Sequence, residues 1–85
     1  MAQTFKVEIQ NMQFNPASVS IAQGDTVEWT NKMGTQHTVT PDHNEFEGSG
    51  RLGQNQTFSH LFDTAGTVSY HCEIHRFMQG TVIVT

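Results

Sequence analysis

The stretch SVSIAQGDTVEWTN, Ser18 to Asn31, decides the fold. Val19 and Ile21 alternate with Ser18 and Ser20, and Val27 and Trp29 alternate with Thr26, Glu28 and Thr30. Successive side chains of a strand point to opposite faces, so an apolar period of two marks a ribbon with one face toward a core. Between the two runs stands Gln23-Gly24-Asp25, a glycine-centred turn signal.

The same period extends outward in both directions. Phe5, Val7 and Ile9 alternate with Lys6, Glu8 and Gln10; Phe58 stands beside Ser59; Val82 and Val84 flank Ile83. Turn residues interrupt these runs at Asn15-Pro16, at NKMG (31–34), at TAG (64–66) and at Gln79-Gly80. Strong helix formers never cluster for three turns. Short strands at this spacing predict an all-β antiparallel sandwich or barrel. The segment HNEFEGSGRLGQN, His43 to Asn55, has no period, and its glycines and polar residues predict a long surface loop.

The chain has 85 residues, which predicts a single domain spanning 1–85. A core of that size often needs a staple. One cysteine excludes an internal disulfide, so a staple here would be a metal. Four basic against eight acidic residues give a net charge of −4, without the basic clusters that nucleic-acid binding requires. No apolar run has the length of a membrane helix, and the N-terminal MAQTFKVEIQ lacks the apolar stretch of a signal peptide. Asp42, Glu45 and Glu47 crowd one short segment; they read either as a solvated loop or as a docking patch for a cationic partner.

The chemistry is concentrated in YHCEIHRFMQG, Tyr70 to Gly80. Cys72, His75 and Met78 follow one another at intervals of three. A Cys-x-x-His pair suits zinc or copper; the thioether, a soft donor, favours copper. A further histidine should complete the set, and four are available. His71 neighbours Cys72 on a strand and points to the opposite face. His60 sits in mid-strand, and His43 lies in the loop. His37 is best placed, because it follows the turn and opens the run HTVTP at a strand end. The predicted set is His37, Cys72 and His75 in a rough plane with Met78 weakly axial, the donor set of a blue-copper site.

These segments resemble the cupredoxins, the small blue copper proteins of the plastocyanin and amicyanin group. YHCEIHRFMQGTVIV is similar to the amicyanin kind of ligand loop. FNPASVSIAQGDTVEWTN and FDTAGTVSYHC are similar to the family's strand–turn–strand region and to the strand leading into the copper cysteine. The likeness spans roughly Phe14 to Thr85 and is weakest between Asp42 and Asn55. It implies a Greek-key β-sandwich of about seven or eight strands. It also implies one type 1 copper ion and single-electron carriage between larger redox proteins, by a monomer and not an enzyme. His37 would be the buried ligand, Cys72 the thiolate, His75 the ligand whose edge reaches the surface, and Met78 the axial one. Redox partners would dock briefly on an apolar patch around His75, for which Met12, Met33, Gly34 and Phe77 are candidates, with Asp42, Glu45 and Glu47 steering. Family habit implies a periplasmic or otherwise extracytoplasmic mature chain.

Two positions depart from the family pattern. Thr38 stands where asparagine usually ties the two ligand-bearing segments together, and its shorter reach predicts a looser tie. Val68 stands where a tyrosine is common, which bears on stability. Rival readings are a copper carrier or buffer using the same ligands, a Cys–His enzyme with Cys72 as nucleophile, and a metal-free sandwich for protein contact.

Overall fold

The computed structural model describes residues 2–85. The eight strands are β1 (Thr4–Gln10), β2 (Gln13–Asn15), β3 (Ser18–Ile21), β4 (Asp25–Asn31), β5 (Thr40–Pro41), β6 (Thr57–Phe62), β7 (Gly66–His71) and β8 (Gln79–Val84). Among the described residues there is no helix, and so none long and apolar enough to cross a membrane. The all-β expectation holds. Two four-stranded sheets, ordered β2-β1-β4-β6 and β3-β8-β7-β5, face each other across the core.

The sheets are mixed, which corrects the expectation of a purely antiparallel sandwich. β1 pairs with β4 in parallel, Val7 opposite Trp29, and β3 pairs with β8 in parallel, Val19 opposite Val82. The reason is connectivity. β1 turns into β2 through a two-residue hairpin at Asn11 and Met12, both at positive φ (53° and 58°), as the tight turn requires. The chain then crosses to the second sheet as β3 and returns as β4. It re-enters beside β1 in the direction in which β1 began.

The period of two is realised throughout. β4 buries Asp25, Val27, Trp29 and Asn31 in succession, and β8 buries Gly80, Val82 and Val84. Trp29 is the hub. Its ring meets Tyr70 edge-on at 5.3 Å and lies 5.8 Å from Phe58 and 6.3 Å from Phe46. Tyr70 is also met edge-on by Phe14 at 4.7 Å. Fully buried aromatics of this size dominate a small core; truncating one to alanine typically costs about 3–5 kcal/mol.

The loop from His43 to Asn55 contains no strand, as expected, yet it is not a purely surface segment. Phe46 and Leu52 are buried with the core, and Val39 and Ser49 exchange backbone and side-chain hydrogen bonds at 2.9 Å. Val68 is itself a buried core residue.

Candidate metal centre

β7 aims the thiol. Val68 and Tyr70 face the core, and Cys72 extends their alternation one step past the strand end, so its sulfur arrives inside, fully buried. The ligand loop then closes on itself. The Cys72 N–H donates to the Met78 carbonyl at 3.1 Å, and the Met78 N–H to the His75 carbonyl at 2.9 Å. These two bonds fold His75 back over the sulfur. The Cys72 sulfur accepts two backbone N–H groups, from Thr38 at 3.4 Å and His75 at 3.5 Å.

His37 comes from the other side of the pole. It does not open a strand: β5 is reduced to Thr40–Pro41. His37 is held instead by an isolated bridge to Leu52, with N–H···O bonds of 3.2 and 2.8 Å exchanged in both directions. The segment expected to be a long surface loop therefore anchors the buried histidine. Asn31, fully buried at the end of β4, donates its amide to the Thr35 and Leu52 carbonyls, both at 2.9 Å, and accepts the Met33 N–H at 2.9 Å. All of its amide hydrogens are thereby used to shape the His37 loop. Burial pushes the His37 imidazole below its usual pKa, and the nearby His75 adds to that push.

The three donor residues converge. His37 Nδ1 lies 3.8 Å from the Cys72 sulfur and His75 Nδ1 lies 4.0 Å from it, and the donor atoms of all three stand within 4.8 Å of one another. Bonds of about 2.0–2.1 Å to nitrogen and about 2.3 Å to sulfur would place donors sharing one ion roughly 3.5–3.8 Å apart. The two nitrogen–sulfur pairs already stand near the spacing of a shared ion, and the two imidazoles would draw closer together to hold it. Met78 is buried in the same loop. Two imidazoles, a thiol and a nearby thioether, with no carboxylate in the cluster, make a donor set suited to copper.

The other histidines stay outside the cluster. His71 faces away, as its neighbour's direction predicts, and pairs with Asp42 through Nδ1 at 2.5 Å. Its Nε2 lies 3.4 Å from Glu73, which Arg76 clasps at 2.8 Å, holding the Glu73 carboxyl below its usual pKa. This network braces the outer side of the ligand loop. His60 stacks on Phe46 at 4.6 Å, and burial lowers its pKa. His43 is exposed in the loop.

Thr38 corrects the expectation of a looser tie. Its hydroxyl oxygen accepts the Glu73 N–H at 2.8 Å and bonds to the Thr40 hydroxyl at 3.0 Å. With its N–H on the Cys72 sulfur, Thr38 joins the His37 segment to the ligand loop twice. Sequence reading also missed Asn31 and Thr35, whose hydroxyl lies 3.0 Å from His37 Nε2. A signal for Asn31 existed: it is a polar residue in the inward register of Val27 and Trp29. Thr35 gave none.

Around the pole, Phe77 is 72% exposed and Ile74 39%. Met12 and Met33 are half-buried, with the Met12 N–H donating to the Met33 sulfur at 3.4 Å, and Gly34 is exposed. Asp42, Glu45 and Glu47 are all exposed.

Known proteins share this architecture. Residues 1–85 match the family described as copper binding proteins, plastocyanin/azurin family. A plastocyanin from Scenedesmus fuscus is 35% identical over 83 residues, covering 84% of this chain and 85% of its own. Amicyanin-alpha from Methylorubrum extorquens is 36% identical over 83 residues, covering 93% and 70%. Amicyanin from Paracoccus denitrificans is 34% identical over 88 residues, covering 92% and 63%. The Cu(I) form of an amicyanin mutant superposes with a TM-score of 0.88 at 30% identity, over 96% of this chain and 82% of that one. Crystalline amicyanin from Paracoccus versutus gives 0.86 at 28% identity, over 96% and 81%. With its mixed sandwich and converged His–Cys–His donors, the chain belongs to the plastocyanin/azurin family of copper-binding cupredoxins.

Proposed function

We propose that His37, Cys72, His75 and Met78 together hold one type 1 copper ion and that residues 1–85 act as one domain, carrying single electrons between larger redox proteins. The observation that carries this reading is the convergence of the His37, Cys72 and His75 donor atoms within 4.8 Å. Copper bound there supplies a one-electron Cu(II)/Cu(I) couple.

The protein's part is to hold the donors still. Cys72 directly follows a core strand, His37 is pinned by Leu52, and His75 is pinned by the Cys72–Met78 loop bonds. The two N–H groups on the Cys72 sulfur stabilise negative charge there. A frame fixed in this way needs little rearrangement when charge changes. Cys72 and His37 are fully buried and Met78 nearly so, while His75 is only partly covered. The edge of His75 is thus the route to the surface, with exposed Phe77 and Ile74 beside it. A brief encounter with a redox partner suits a small apolar contact of this kind. Asp42, Glu45 and Glu47 would steer a cationic partner.

Burial of the donors favours electron carriage over copper delivery, because a delivery protein must hand its ion to another set of ligands. It also leaves the Cys72 thiol no room to attack a substrate, so the chain acts as a carrier, not an enzyme. The likeness to plastocyanin and amicyanin supports a periplasmic or otherwise extracytoplasmic setting, and the chain is proposed to work as a monomer.

Titration with Cu(II) tests this reading. One equivalent should produce an intense visible thiolate-to-copper band with reversible one-electron voltammetry, and Cys72→Ser should abolish the band. Colourless binding by the wild-type chain would overturn it.

A further inference from the structure

We propose that Thr35 is a positioning residue for His37, its hydroxyl accepting the Nε2–H and so presenting the Nδ1 lone pair to the metal site. A neutral imidazole has one N–H and one lone pair, and the partner of one nitrogen decides which form the other takes. The Thr35 hydroxyl lies 3.0 Å from Nε2, while Nδ1 lies 3.8 Å from the Cys72 sulfur. With the hydrogen on Nε2, the lone pair faces the cluster. With the opposite tautomer, an N–H would face it and repel a cation.

The hydroxyl is held in place from both sides. The Thr35 carbonyl accepts the Asn31 amide at 2.9 Å, and Asn31 is fully buried. Two residues further on, the His37 backbone is clamped to Leu52. Threonine is stiff about its first side-chain bond, so little freedom remains between these two anchors. Thr35 itself is exposed, whereas the imidazole it meets is fully buried. The contact therefore closes the outer edge of His37 without being part of the core. Outer-shell partners of metal-bound histidine fix ring orientation and raise ligand basicity, and losing one typically costs 10–100-fold in affinity.

The inference rests on the copper reading, but its test separates the two. Wild type, Thr35→Val and Thr35→Ser are compared in three measurements: 15N NMR of the His37 ring without metal, Cu(II) affinity by competition with a chelator, and thermal unfolding without metal. The expected result is an Nε2–H tautomer in wild type and Thr35→Ser, and a mixture in Thr35→Val. Affinity should fall about 10-fold or more in Thr35→Val and return in Thr35→Ser, with unfolding midpoints unchanged. Thr35→Ala replaces Thr35→Val should the latter fold poorly. An unchanged tautomer and an affinity within twofold of wild type would overturn the proposal, because water would then serve as well. So would a serine variant as weak as the valine one. If wild type failed to bind copper, the proposed function would fall, while the metal-free tautomer would still decide the role of Thr35.

Discussion

The hydroxyl of Thr38 accepts the backbone N–H of Glu73 at 2.8 Å, joining the segment that carries His37 to the loop that carries Cys72 and His75. Thr38 is almost fully buried, so water cannot replace the lost acceptor freely. Thr38→Val keeps the shape and removes the oxygen. The expected cost is about 1–2 kcal/mol, read from urea unfolding of the metal-free protein, while Thr38→Ser stays near wild type. A valine variant as stable as wild type would show that the Glu73 N–H finds another partner.

Gly80 and Tyr70 face each other across the β7–β8 ladder. A Cβ at position 80 would overlap the tip of the Tyr70 ring. That ring cannot step aside, since Phe14 and Trp29 meet it edge-on. Gly80→Ala should therefore destabilise by about 1–3 kcal/mol through overpacking. The Tyr70 hydroxyl is buried and makes no hydrogen bond of good geometry; the Trp29 indole, which also has no such bond, offsets only a little of the upward push that burial gives its pKa, raised to about 12. Tyr70→Phe should accordingly cost little at neutral pH and relieve part of the alanine clash. It should also flatten the alkaline limb. In the unfolded chain the phenol ionises near 10, so stability is lost as pH rises from there toward 12. A Tyr70→Phe variant with an unaltered alkaline limb would refute this account.

Asp25 sits at the opposite end of β4 from the metal pole and accepts two backbone N–H groups, from Gln3 at 2.9 Å and Ala22 at 3.0 Å. The Gln3 bond first, and the Ala22 bond next, hold its carboxyl below the usual carboxylate range against the opposing effect of burial. A depressed folded pKa means that the unfolded chain binds the proton more readily. The stabilisation is therefore present above the ordinary carboxylate pKa and lost as pH falls through the lower folded value. Asp25→Asn should be less stable at neutral pH and show a shallower acid decline. Equal acid slopes for the two proteins in pH-dependent urea unfolding would rule Asp25 out as a contributor.

The strands and the convergence of His37, Cys72 and His75 were legible for the same reason: both are written in spacing. A period of two announced β1, β3, β4 and β8, and the alternation of neighbours on a strand set His71 on the face opposite Cys72. What spacing cannot reveal is which strands become neighbours. The parallel pairs β1–β4 and β3–β8 arise from crossings between sheets, which leave no mark in local alternation. Phe46 and Leu52 were hidden because single apolar residues among glycines have no period, although both reach the core. Thr35 and Thr38 were harder still. A small hydroxyl residue reads as solvent-facing, and its value here depends on the group the fold brings to it: the Glu73 backbone N–H, far along the chain, for Thr38, and the His37 ring, turned toward it, for Thr35.

The exposed ring of Phe77 lies with its centroid 6.4 Å from that of His75. Being 72% exposed, it has little packing to lose, so substitution should change stability by no more than about 0.5 kcal/mol. If partners meet the protein at this face, a charge there should act on encounter and not on the metal site. Electron self-exchange between copies of the loaded chain is a convenient probe, because both members of the encounter then present the same pole. Phe77→Glu places two carboxylates against each other in a chain already carrying −4. Like charges in contact cost enough to slow exchange about tenfold or more. Salt should recover part of the loss, since the charges are exposed and screened, and the visible band should be unaltered. Self-exchange as fast as wild type, with the same dependence on salt, would place the route of electron entry elsewhere than the edge of His75.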